Sequence, residues 1–157
     1  LTTSLLSAAA GLQATPTSNT TFERFFVGRT EGSGTARVIA SGSHAVSDTS
    51  QGRKDASGAL LLDQTVQQAG KPARRRAWRL VLGSDNRVTG TISDARGAVT
   101  GEIAGNTIHL LYRMNDGPSV QQWITLQPDG RTARNRMTYR RFGLKVATVE
   151  TVIRKVD

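Results

Sequence analysis

From Arg76 to Lys155, apolar and polar residues alternate in short runs separated by Gly, Asn and Asp turns, the pattern of successive antiparallel strands. In RAWRLVLG, Trp78, Leu80 and Leu82 share one face while Ala77, Arg79 and Val81 share the other. Val99, Gly101 and Ile103 oppose Thr100 and Glu102, and Gly105-Asn106 supplies a tight turn. Ile108, Leu110, Tyr112 and Met114 then line one face before the turn NDGPS. Val120, Gln122, Ile124 and Leu126 follow, with Trp123 on the opposite side. In TARNRMTYRR, Ala133, Asn135, Met137 and Tyr139 stand against the cationic row Arg134, Arg136, Thr138 and Arg140. The last segment, LKVATVETVIRKV, alternates less but is rich in β-branched residues, which favours strand over helix.

The first half carries the same signal more faintly. TTFERFFVG places Phe22, Phe25 and Phe26 at helical spacing after a Thr-rich start, so a short helix closing one end of the fold is expected. Strands are expected over 35–42 and 43–50, followed by a polar turn over 51–58. In ALLLDQTVQQAG, Leu60, Leu62, Gln64 and Val66 share a face, and the basic run KPARRR reads as a loop. The sum is an all-β chain of roughly ten strands, an antiparallel up-and-down barrel with one short N-terminal helix. Residues 1–20 read as a signal-like segment or N-terminal arm and 21–157 as a single domain. Leu1 to Ala14 is small, apolar and uncharged, like the end of a secretory signal; a terminal helix or arm packed on the domain is the alternative.

At 157 residues the chain can bury one core without metal or disulfide support. The absence of cysteine excludes a thiolate nucleophile and a sulfur metal site. The 21 Lys and Arg residues against 12 Asp and Glu give a net charge of +9, which makes polyanions and an anionic membrane surface candidate partners. No apolar run has the length of a membrane-spanning helix.

Candidate chemistry is sparse. His44 and His109 fall on different strands without carboxylates at ligand spacing, so no metal is assigned. No serine sits in a Gly-x-Ser-x-Gly elbow, and no catalytic residue or cofactor is assigned. Asp94, Glu102 and Asp63 are the carboxylates open to acid–base work; Asp94 fits a turn-forming role beside Gly97, and Glu102 falls on an outward row. Gly90, Gly97, Gly101 and Gly105 lack the strand–turn–helix context of a phosphate loop. Arg74 to Arg76 and the row Arg134, Arg136 and Arg140 would suit phosphates, yet aromatics make up only 5% of the chain and do not interleave with that row, so nucleic acid is not the expected partner.

The inward rows give the stronger lead. Trp78, Tyr112, Met137 and Tyr139 are expected inside with Gln122 and Asn135 among them, an apolar lining with polar anchors that suits either a filled core or a small-molecule site. Buried amides need partners, which a ligand or ordered water can supply. Arg76 and Arg136 near a barrel mouth would pair with a carboxylate or phosphate head group. The expected ligand-binding set is therefore Trp78, Tyr112, Gln122, Asn135, Tyr139, Arg76 and Arg136, and the expected partner is a lipophilic, acidic small molecule. An enzyme acting on a lipid-like substrate, which needs an inward Asp or Glu, and a basic module binding polyanions remain the alternatives.

The order of these motifs carries a resemblance. Arg76 and Trp78, the Gly-rich stretch from Gly97 to Asn106, Tyr112, Trp123, the pair Asn135 and Arg136, and Phe142-Gly143 resemble an uncharacterised bacterial family of small exported or lipoprotein-like proteins. The resemblance is close over the C-terminal half and looser through Phe26, Gly28 and LLLDQ. It implies a lipocalin-like barrel, a periplasmic or secreted location, and a connection to lipids, since such genes often neighbour those for cyclopropane-type fatty acid modification. Lipid-anchored members need a cysteine at the mature N-terminus; the chain has none, so the resemblance implies a freely soluble form.

Overall fold

The computed structural model describes residues 18–157; the signal-like stretch Leu1 to Ala14 lies outside them. Helix α1 (Ser18–Phe26) precedes ten strands: β1 (Gly28–Val38), β2 (Gly42–Lys54), β3 (Leu60–Gln68), β4 (Arg74–Leu82), β5 (Arg87–Ile92), β6 (Ala95–Ala104), β7 (Thr107–Met114), β8 (Ser119–Leu126), β9 (Thr132–Arg141) and β10 (Leu144–Lys155). Each strand pairs antiparallel with its sequence neighbours, and β1 pairs with β10 to close an up-and-down, lipocalin-like barrel. Closure leaves no free sheet edge, which is how an all-β chain of this size avoids edge-to-edge association.

The two ends of the barrel differ because the hairpins alternate. The turns β2–β3, β4–β5, β6–β7 and β8–β9 lie at the end where β1 starts, and α1 covers that end. Phe22, Phe25 and Phe26 are buried there, with the Phe25 and Phe26 rings edge to face at 5.0 Å. Each such burial contributes about 1.5–3 kcal/mol, enough to hold a short helix that would not form alone. Gly52 lets the Phe26 carbonyl approach β2, since a Cβ at that position would collide with it. Lys155 Nζ donates to the carbonyl oxygens of Phe25, at 3.3 Å, and Val27, capping the helix C-terminus from the last strand. The opposite end, formed by the turns β1–β2, β3–β4, β5–β6, β7–β8 and β9–β10, carries no such cover among the described residues.

The inward rows expected for β4, β7, β8 and β9 are the observed ones: Trp78, Leu80, Leu82, Ile108, Leu110, Val120, Ile124, Ala133 and Met137 are buried. Four boundaries differ from expectation. β1 starts at Gly28 rather than Thr35 and ends at Val38 rather than Gly42, and β2 continues to Lys54 through residues that read as a turn. Both segments are polar on both faces, so alternation could not mark them; pairing along Gly28↔Gly52 to Val38↔Gly42 defines them instead. The basic run KPARRR is only half loop, because Arg74 already opens β4.

Candidate functional site

Along the barrel axis runs a slot of ≈ 110 Å³, several times what one water needs. The order of residues along each strand grades its wall. Toward the uncovered end stand Gln68, Val66, Arg74, Arg76, Val46 and Tyr139; toward α1 stand Leu60, Leu80, Leu82, Ile108, Ile153 and Phe26. The mouth sets Arg74, Arg76 and Tyr139 among valines, and the depth is aliphatic along β3, β4 and β7 with Thr30, Ser50, Asn135 and Thr151 on the side of β1, β2, β9 and β10.

Arg76 is the buried cation of this wall, its side chain only 3% exposed. Its Nε stands 3.0 Å from Oδ1 and 2.9 Å from Oδ2 of Asp94, donating to Oδ1, and its guanidinium carbon lies 5.1 Å from the Trp78 ring centroid. Burial pulls the Arg76 pKa down, but the Asp94 carboxylate beside it keeps the guanidinium charged. Burial also pushes Tyr112 and Tyr139 up, so both phenols stay protonated donors at neutral pH.

Two polar chains cross the interior. In one, Tyr112 Oη donates to Gln122 Oε1 at 2.8 Å, Gln122 Nε2 to Asn135 Oδ1 at 2.8 Å, and Asn135 Nδ2 to Thr151 Oγ1 at 3.1 Å, spanning β7 to β10. In the other, Trp78 Nε1 donates to Gln64 Oε1 at 2.9 Å and Gln64 Nε2 to Asp48 Oδ2 at 3.0 Å, spanning β4 to β2. The Asp48 carboxylate lies over Gly32 of β1, in space that a Cβ would occupy. Burial raises the Asp48 pKa against the pull of the Gln64 hydrogen bond and the Arg76 charge.

Five of the expected residues, Trp78, Gln122, Asn135, Tyr139 and Arg76, line the slot. Tyr112 does not: it packs edge to face behind Trp78 at 5.8 Å and serves the wall through Gln122. Arg136 is a correction, because even positions of β9 near it face outward; it is exposed and lies over the outer ring of Trp123 at 5.4 Å. The expectation that the buried amides look to a ligand is corrected too, since they satisfy each other. The cationic row is also not free of aromatics: Trp123 pairs with Arg136 across β8–β9 and stacks on His109 at 4.8 Å.

Of the carboxylates, Asp63 pairs with Arg53 at 3.0 Å on the outside and Glu102 is exposed opposite His109. His44 bonds Ser41 at 2.9 Å. Among the described residues no three His, Asp or Glu side chains are grouped to hold a metal ion. Sequence reasoning missed Asp48, Gln64 and Thr151 as site residues. Gln64 was readable from its inward row; Asp48 was not, because SHAVSDTS is polar on both faces.

No curated protein sequence matches the chain. The fold is shared with the S-type phycobiliprotein lyase CPES from Guillardia theta, at a TM-score of 0.68 and 10% identity over 87% of this chain and 92% of that one. Identity so low speaks to the fold, not the chemistry. By its sequence over residues 4–155, the chain belongs to the family described as Protein of unknown function (DUF3833).

Proposed function

We propose that this barrel binds a lipophilic small molecule with an acidic head group, such as a fatty acid, with its chain in the slot and its head at Arg76. The observation that carries the reading is a buried, charged guanidinium near the uncovered end with an aliphatic wall of β3, β4 and β7 beneath it. A buried cation next to an aliphatic wall matches an amphiphile's two ends. The uncharged stretch Leu1 to Ala14 supports an exported, periplasmic or secreted, setting for such a carrier.

The test is titration with a fluorescent long-chain fatty acid and its methyl ester. The acid should bind more tightly than the ester, and Leu62→Phe, which fills the slot beside Trp78, should weaken both. Ile124→Phe, a filling substitution on the facing wall, checks that the loss follows the space rather than one side chain. Equal affinity of filled and native barrels would contradict the reading.

One observation favours a second reading, an enzyme acting on the bound molecule. Asp48 is the inward carboxyl that such chemistry needs, and its raised pKa suits a general acid. If this holds, Asp48→Asn protein purified from its host carries a different lipid species from native protein; identical species contradict it.

A further inference from the structure

The three most exposed large apolar side chains among the described residues are Phe142 at 102%, Ile39 at 74% and Leu144 at 72%. All three belong to the uncovered end of the barrel, Ile39 in the β1–β2 turn and the other two in the β9–β10 hairpin. The two turns are neighbours, since Ile39 N donates to the Val146 carbonyl at 3.0 Å. They form one apolar tip.

Phe142 is the telling residue. It turns the hairpin at φ 50 with Gly143 at φ 78, the two-residue geometry that favours Asn-Gly, and a bulky side chain at positive φ is an outlier. The chain thus places a phenyl ring where it costs backbone strain and gains no burial. Nothing in the fold explains that choice, whereas a surface that accepts the ring does.

Charge says which surface. Arg140, Arg141 and Lys145 flank the tip on the same hairpin, exposed and without a carboxylate partner among the described residues, and Lys71 and Arg74 stand on the β3–β4 side. Arg74 also lines the slot, so tip and mouth share one rim. Apolar side chains fringed by cations match the acyl and phosphate layers of an anionic bilayer.

We propose that this rim docks on an anionic lipid bilayer, with Phe142, Leu144 and Ile39 entering the acyl boundary and the cations meeting the phosphates, so that the slot opens toward the lipid. The orientation rests on the slot reading above; the docking does not.

The test is flotation of the purified chain with vesicles of phosphatidylcholine, with and without phosphatidylglycerol. Binding should require phosphatidylglycerol and fall with salt. Phe142→Asn supplies the side chain the turn prefers, so it should melt no lower than the native protein while binding vesicles about tenfold or more weakly, the loss expected for one buried aromatic. Arg141→Glu with Lys145→Glu should abolish binding. Vesicle binding by Phe142→Asn equal to native, or no vesicle binding by the native chain, overturns the proposal. Both variants should keep their affinity for a soluble fluorescent fatty acid without vesicles. Leu62→Phe should show the reverse, so failure of the dock and failure of the slot are separable.

Discussion

Asp94, in the turn between β5 and β6, holds the Arg76 guanidinium from one side, with Nε 3.0 Å from Oδ1, while Trp78 covers its face. A turn-forming aspartate is thereby also the counter-ion of the buried cation. Replacing it leaves Arg76 buried and charged without that counter-ion.

Asp94→Ala is therefore expected to destabilise the barrel by roughly 3 kcal/mol, the scale for breaking a buried ion pair, read from urea unfolding. The double change Arg76→Met with Asp94→Ala should be less destabilising than the single one. A double variant no better than the single would mean that the pair is not the cause.

The chain Tyr112–Gln122–Asn135–Thr151 makes a second expectation. Gln122→Leu removes the acceptor of the Tyr112 hydroxyl and the donor to Asn135 Oδ1 together. At about 1–3 kcal/mol for each of the two buried polar groups left unsatisfied, the loss should reach roughly 2–6 kcal/mol in chemical unfolding. A loss within the range of a surface change would show that water replaces the amide.

Asp48 sets a pH dependence whose sign follows from its raised pKa. Between its ordinary value of 3.8 and the higher folded value, the folded state holds more protons than the unfolded one, so stability falls as pH rises through that window. Below 3.8 both states are protonated and the penalty is absent. Asp48→Asn should remove this slope and be the more stable protein at neutral pH. It should also tighten binding of an acidic ligand there, because one negative charge leaves the wall. Parallel stability curves for the two proteins across acid pH would contradict the burial argument.

Gly32 matters only through Asp48, whose carboxylate occupies the place of its missing Cβ. Gly32→Ala should cost about 1–3 kcal/mol as an overpacking change, and most of that should return in the double variant with Asp48→Ala. Additive losses in the thermodynamic cycle would mean that β1 objects to the methyl group for another reason.

Where one face was apolar, the sequence was enough: Trp78-Leu80-Leu82 and Ile108-Leu110-Tyr112 point inward because period-two alternation admits no other register. Phe22, Phe25 and Phe26 announced the helix by their i, i+3, i+4 spacing. β1 and β2 were legible as strands but not in their bounds, since GRTEGSGTARV and GSHAVSDTSQGRK bury small and polar residues, and the inward place of Asp48 was hidden with them. Arg136 went wrong differently. The alternation placed it outside, and the attraction of a cation for a head group drew it into the expected site against its own register. The mutual pairing of Gln122 and Asn135 needed the cross-strand geometry of β8 and β9, which no one-dimensional pattern contains.

Native mass spectrometry of the protein gently purified from the organism that encodes it, followed by lipid extraction, tests the central claim most directly. The account predicts a bound acidic lipophile on the native chain that is lost from Leu62→Phe. A native chain that carries no adduct, and takes up none when offered fatty acid, would contradict it.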